Sequence, residues 1–151
     1  MPFKFEQLEV WKLSLDYVDL IYEIADKLPR SEAYNLRSQM TRAATSVSLN
    51  IAEGSTGQTD PEQARFLGLA IRSLLETVAC QHLISRRGYL TDLIPLRKAY
   101  VDAETLVAKL HTMRRKIQPD RPWLREERAE YRIDERRTTS DEWSEPSQPP
   151  F

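Results

Sequence analysis

Four long runs of apolar residues, spaced by threes and fours and each closed by a proline or a glycine, constrain this chain more than any other feature. In the first run Leu8, Trp11, Leu15, Val18, Tyr22 and Ala25 alternate by 3, 4, 3, 4, 3. That alternation lays an apolar seam along a helix packed nearly parallel to its neighbours. Ile21, Ile24 and Leu28 widen the seam, and Pro29 stops it. Proline has no amide hydrogen to give the next turn, and it disfavours helix in the residue before it. The second run starts with Ser31 as N-cap and Glu32 in the first turn, where a negative charge meets the positive end of the helix dipole. It carries Leu36, Met40, Ala43, Val47 and Ile51, and Gly54 ends it. The third opens at Asp60-Pro61-Glu62, with aspartate at the cap and proline in the first turn. Its stripe is Phe66, Ala70, Ser73, Thr77, Cys80 and Ile84, flanked by Leu67, Leu74 and Leu83, and Gly88 ends it. Thr91 caps the fourth, which runs through Leu93, Leu96, Tyr100, Ala103, Val107, Leu110 and Ile117 to Pro119, with Arg114 in its one polar slot.

The pattern predicts helices over 5–28, 32–54, 61–88 and 92–117. Connections this short force successive helices to run antiparallel. The expected fold is therefore all-α: an up-down-up-down four-helix bundle over residues 1–118. A chain of 151 residues can bury enough surface for one core without a metal or disulfide. After residue 118 the composition changes. Residues 119–151 hold five prolines, no glycine and a dense alternation of arginine with glutamate. Within Trp123–Arg137 the i,i+4 pairs are like-charged, as in Glu126 with Glu130 and Arg128 with Arg132, and each costs an isolated helix a few tenths of a kcal/mol. This extension is expected to be partly helical or disordered, with Trp123, Leu124, Tyr131 and Trp143 available as anchors.

Catalytic chemistry finds little to work with. Helical bundles that hold paired metals use Glu-x-x-His on two helices, but alanines, Ala79 and Ala108, stand three residues before His82 and His111. Both histidines read as polar-face residues near helix ends. Cys80 lies on an apolar stripe with nothing nearby in sequence to lower its pKa, so it reads as a core thiol. No serine sits in a strand–turn–helix elbow, and no glycine-rich phosphate loop occurs. No catalytic, cofactor-binding or metal-binding residue is expected, and the chain does not read as an enzyme. The single cysteine suits a reducing compartment. The N-terminus lacks a basic stretch followed by an apolar run, and no continuous apolar stretch reaches the ~18 to 20 residues of a membrane span. The expectation is a cytoplasmic protein without membrane contact.

Two polar features remain. On the second helix Gln39, Arg42, Ser46, Asn50 and Glu53 are spaced 3, 4, 4, 3 and share one side. Ser73 and Glu76 form a smaller counterpart on the third. The stripe reads either as an interhelical hydrogen-bond network that sets register or as a functional groove or subunit contact. The second feature is charge at the bundle ends. Antiparallel packing gathers Lys27, Arg30, Arg37, Arg86, Arg87, Arg97 and Lys98 at one end, and Arg114, Arg115 and Lys116 at the other. Cations at helix C-termini complement the dipole, so part of this is ordinary. Repeated around a ring of copies, the same charges form rims able to bind a polyanion.

Several of these residues carry a family resemblance. The order Phe5-x-x-Leu8-x-x-Trp11, then Leu28-Pro29, Glu32-x-Tyr34-x-Leu36-x-x-Gln39-x-x-Arg42-Ala43-Ala44-x-Ser46 and Asn50-Ile51-Ala52-Glu53-Gly54 resembles the four-helix-bundle family named for intervening sequences in bacterial 23S ribosomal RNA genes. Ala70-x-x-Ser73-Leu74-x-Glu76 and Gly88-Tyr89-Leu90 fit it too, and the match covers about residues 3–117. The resemblance implies a bacterial cytoplasmic bundle that assembles as a homopentamer and is not an enzyme. A related group, the accessory variability protein of diversity-generating retroelements, is a basic pentamer that binds a reverse transcriptase and nucleic acid. This chain departs from that group in charge: residues 1–118 hold 16 basic and 14 acidic residues, and 119–151 hold 6 and 9.

Two functions are therefore expected to compete. One is a non-catalytic homo-oligomeric scaffold that contacts RNA, DNA or a nucleoprotein partner such as a reverse transcriptase through basic rims. The other is a protein–protein adaptor without nucleic-acid binding that uses the extension.

Overall fold

The computed structural model describes residues 3–57, 59–118 and 148–151. Four α-helices make up nearly all of it: α1 (Glu9–Asp26), α2 (Leu36–Ser55), α3 (Asp60–Arg87) and α4 (Ile94–Ile117), with 3-10 turns at Lys4–Gln7 and Arg30–Glu32. There is no strand among the described residues. Each helix packs on the next and α4 closes back on α1, which leaves α1 and α3 on a diagonal. Contacts near the helix ends set the directions. Asp26 ends α1 and pairs with Arg37 at the start of α2 at 2.6 Å. Gly54, near the end of α2, meets Phe66 near the start of α3. Glu9 begins α1 and pairs with Lys109 near the end of α4 at 3.2 Å.

The core is a continuous column of aliphatic side chains in which Ile21, Ile24, Met40, Val47, Leu74, Ile84, Leu96 and Leu110 are fully buried. Each such side chain contributes roughly 1.5–3 kcal/mol by leaving water. Alanines at 44, 70, 99 and 103 are also fully buried and keep the helices close. On α2 the buried residues include all five positions of the expected stripe.

On α1 the seam is rotated by about one residue. Val10, Ser14, Tyr17, Ile21, Ile24 and Leu28 are buried, whereas Leu15 and Tyr22 are exposed. The buried set has spacings of 4, 3, 4, 3, 4, so both faces satisfy the helical period. Ile21, Ile24 and Leu28, expected only to widen the seam, lie at its centre, and Val10, Ser14 and Tyr17 complete it. Ser14 is tolerated there because its hydroxyl donates to Trp11 O at 2.6 Å, so no polar group is left without a partner.

Helix starts also differ from expectation. α1 does not begin at Phe5, which lies in the preceding 3-10 turn: Leu8 is extended (φ −73°, ψ 127°), and Phe5 packs edge-on against Trp11 at 4.9 Å. Thr59, not Asp60, caps α3 by accepting from Glu62 N. Asp92 Oδ1 accepts from Ile94 N at 3.0 Å, the capping role expected of Thr91. Ser31 lies in a 3-10 turn and caps nothing. Gly54 does not end α2, which continues to Ser55. Gly88 does end α3 as expected, in the left-handed region at φ +66° where a Cβ is disfavoured.

The start of α2 is held by Glu32. Its Oε2 accepts from Asn35 Nδ2 at 2.9 Å and Leu36 N at 3.3 Å, while Oε1 accepts from Tyr89 OH at 2.7 Å. These bonds tie the α1–α2 connection to the turn after α3. The hydrogen bond from Tyr89, then that from Leu36 N, holds the Glu32 carboxyl below its ordinary value. A lowered folded-state pKa means this support is present at neutral pH and is lost as pH falls from about 4.5 through the folded value. Glu32→Gln is therefore expected to be less stable than wild type at pH 7 in urea denaturation, with the gap closing below pH 4.5. A gap unchanged across that range would contradict it.

By length and composition α3 could cross a membrane, which a count of continuous apolar residues misses. Its buried side chains face the bundle core, and Arg72 and Glu76 interrupt it at exposed positions.

Candidate functional site

The polar stripe of α2 divides into two parts. Ser46 faces α3: Ser73 Oγ donates to Ser46 Oγ at 2.9 Å. Asn50 Nδ2 donates to Ser46 O at 2.8 Å and to Ser46 Oγ at 2.9 Å, so the Ser46 hydroxyl accepts twice. The other stripe residues face outward. Gln39 Nε2 bonds within its own helix to Asn35 Oδ1 at 3.2 Å, and Arg42 and Glu53 are exposed. Among the described residues no ion pair joins Arg42 to Glu53 or Glu76. The expected interhelical network thus reduces to the single Ser46–Ser73 bridge.

The outward part borders an open groove of about 490 Å3 between α1 and α2, lined by Tyr22, Thr41, Arg42, Thr45, Ser46, Leu49, Asn50 and Glu53. Arg42 and Glu53 lie three turns apart along α2, a cation toward one end and an anion toward the other. Tyr22 OH reaches Thr45 Oγ1 at 3.5 Å. Tyr22 is 47% exposed and Leu49 58%, large values for apolar side chains beside a helix interface. Leu15 extends the same face of α1 two turns from Tyr22, where it too is exposed.

The buried polar network lies elsewhere. Tyr17 on α1 reaches diagonally across the core to α3. Its hydroxyl lies 2.6 Å from Thr77 Oγ1 and accepts from Gln81 Nε2 at 3.0 Å, and all three residues are buried. Thr77 spends its own proton on Leu74 O at 2.6 Å, so the Tyr17 hydroxyl must be the donor to Thr77. Burial pushes the Tyr17 hydroxyl well above the ordinary tyrosine value, which keeps it neutral and able to donate. The sequence reading missed this trio. The available signal was Thr77 with Gln81, two polar residues one turn apart on a buried face.

Several charges of the expected basic end are engaged. Arg37 pairs with Asp26 and Lys98 with Asp102. Arg87 Nε donates to Tyr89 OH at 3.3 Å, and Arg97 Nε donates to Phe151 O at 2.7 Å. Lys27, Arg30 and Arg86 are exposed and carry no ion pair among the described residues. Tyr34, in the same α1–α2 connection as Arg30, is 99% exposed. At the other end Arg115 Nη2 donates to Thr112 Oγ1 at 3.4 Å and Lys116 is exposed. Arg114 turns inward instead. A Cβ on Gly68 would stand 2.9 Å from its guanidinium carbon, so the absent side chain of Gly68 is what seats it.

Cys80 is buried, and burial followed by the charge of Glu76 raises its thiol pKa, which makes it a poor nucleophile at neutral pH. The described residues hold no cluster of three or more metal-ligating side chains. His82 is exposed and meets Tyr100 edge-on at 6.2 Å, while His111 is half-buried near the end of α4. Trp123, Leu124, Tyr131 and Trp143 lie outside the described residues.

A short-looped helical bundle with a mixed polar and apolar groove on one face and a cationic end defines a class of small helical proteins. The chain belongs to the 23S rRNA-intervening sequence protein family, whose model matches residues 6–112. The match spans all of α1, α2 and α3 and most of α4. No curated protein matches the chain.

Proposed function

We propose that this protein is a non-catalytic scaffold that assembles with copies of itself through the α1–α2 face and presents its cationic end to nucleic acid. The observation that carries the reading is the groove. Leu15, Tyr22 and Leu49 leave three large side chains in water on one face, and Arg42 and Glu53 lie among the groove's lining residues. An apolar centre with polar groups around it is the composition of a protein interface. Opposite charges at the two ends of the stripe give a second copy a preferred register.

Assembly would bring several cationic ends together. Lys27, Arg30 and Arg86 then repeat around a rim, with the exposed Tyr34 in the same connection as Arg30, a combination of cations and an aromatic ring suited to single-stranded RNA or DNA. A homopentamer in the cytoplasm that also engages a reverse transcriptase is the fuller version of this proposal, and it rests on the family resemblance.

Light scattering tests the assembly. The wild type is expected at a multiple of the 17.6 kDa chain mass, with Leu49→Glu reduced to one copy and its helical circular dichroism kept. RNA and duplex DNA titrations at two salt concentrations then test the rim. Each phosphate neutralised contributes about 0.9 to the slope of log affinity against log salt on duplex DNA. Arg30→Glu with Arg86→Glu is therefore expected to weaken binding and flatten that slope. A wild-type monomer would overturn the scaffold, and salt-independent or absent binding would overturn the rim and favour a protein–protein adaptor.

A further inference from the structure

We infer that the face formed by His82 on α3 and by Arg97 and Tyr100 on α4 is a docking site for an extended proline–proline–aromatic segment, and that its occupant is Pro149-Pro150-Phe151 of the same chain. The Phe151 ring sits edge-on to His82 at 5.3 Å and to Tyr100 at 5.7 Å. These two rings also meet each other edge-on, so three rings form one mutually perpendicular cluster. Ring pairs of this geometry contribute beyond the area they bury. Arg97 Nε donates to Phe151 O at 2.7 Å, which fixes the main chain as well as the ring.

The segment is read at alternate positions. Pro149 and Phe151 are half-buried while Gln148 and Pro150 are exposed, as expected of an extended strand laid along a surface. Two prolines fix φ in advance, so little backbone freedom is lost on docking. Reach is ample. Tyr100 lies about 25 Å along α4 from Ile117, and the residues between 118 and 148 can span up to about 100 Å. Covalent attachment to the same chain raises the effective concentration of the segment at its site, so a contact too weak to persist between free molecules persists within one chain.

The site was invisible as such in the sequence. His82, Tyr100 and Arg97 read separately as a polar-face histidine, a seam residue and a rim cation, and Phe151 lies 51 residues beyond Tyr100. Arg97 is therefore occupied by this segment and does not belong with the open cations of the basic end.

Isotope-edited NMR on the full-length chain tests the assignment. Nuclear Overhauser contacts are expected from the Phe151 ring to the rings of His82 and Tyr100. Phe151→Ala should shift the His82 and Tyr100 resonances and leave those of Tyr17 in place. A peptide containing Gln-Pro-Pro-Phe, added to the Phe151→Ala protein at about 1 mM and above, should move them back toward wild type, and a Gln-Pro-Pro-Ala peptide should not. Absence of the ring contacts in the wild type would overturn the site. Peptide binding that ignores the phenylalanine would overturn its aromatic specificity. A mixture of labelled and unlabelled protein separates the last case, because contacts between chains would overturn the assignment to the same chain and give the site to a second copy.

Discussion

Tyr17→Ala is expected to cost about 3–5 kcal/mol, the range for truncating a fully buried large side chain, and to give the largest loss of any single substitution considered. Tyr17 is 1% exposed and joins the two helices that share no broad interface. Its removal opens a cavity at the centre and also leaves Thr77 and Gln81 without their partner. Gln81 already has one buried oxygen, Oε1, with no hydrogen bond, and its Nε2 would lose the Tyr17 acceptor as well. Tyr17→Phe separates the two effects. It keeps the ring and removes only the hydroxyl, and it is expected to cost about 1–3 kcal/mol, the penalty for stranding buried polar groups. Urea denaturation monitored by circular dichroism measures both. If Tyr17→Phe were neutral, the trio would be dispensable and the ring alone would matter. Replacing Tyr17, Thr77 and Gln81 together by apolar residues of similar shape should recover most of the loss, because a network removed whole strands no group.

Gly54→Ala is expected to destabilise by about 1–3 kcal/mol, the range for overpacking a close contact, even though alanine is the better helix former by about 1 kcal/mol. The new Cβ would stand 3.0 Å from Phe66 Cβ and 3.5 Å from Gln63 O. Phe66 Cβ is fixed to its backbone, so relief requires α2 and α3 to separate at this crossing. Gly68→Ala is the internal comparison. There the new Cβ meets the far end of the Arg114 side chain, which can swing away, so the helix-propensity gain offsets more of the cost. Thermal unfolding of the two variants side by side should place Gly54→Ala well below Gly68→Ala. The reverse order would mean that the Arg114 seat between α3 and α4 is less tolerant of a Cβ than the Gly54 crossing between α2 and α3.

The number of helices, their approximate limits and the bundle they form were legible in the chain because proline and glycine act locally. Proline removes an amide hydrogen wherever it stands, and Gly88 takes up its left-handed turn with no atom within 4 Å of the missing side chain. The α2 stripe was legible for a similar reason: a run with apolar residues on one side only has a single way to face a core. Neither argument needs to know what lies across the interface.

What the tertiary structure decided were choices between locally equivalent alternatives. On α1 two adjacent faces carry the same period, and only contact with α2, α3 and α4 selects the one with Tyr17 and leaves Leu15 and Tyr22 outside. Gly54 reads as a helix end in sequence, and only the approach of Phe66 shows it to be a crossing point. Polar residues behave alike: Ser46 bonds across to Ser73 while its stripe neighbours face water, and Tyr17 finds Thr77 60 residues away. Period and punctuation belong to one helix and are written in its own residues. Partnership belongs to two, and the free energy that selects it exists only once both surfaces are brought together.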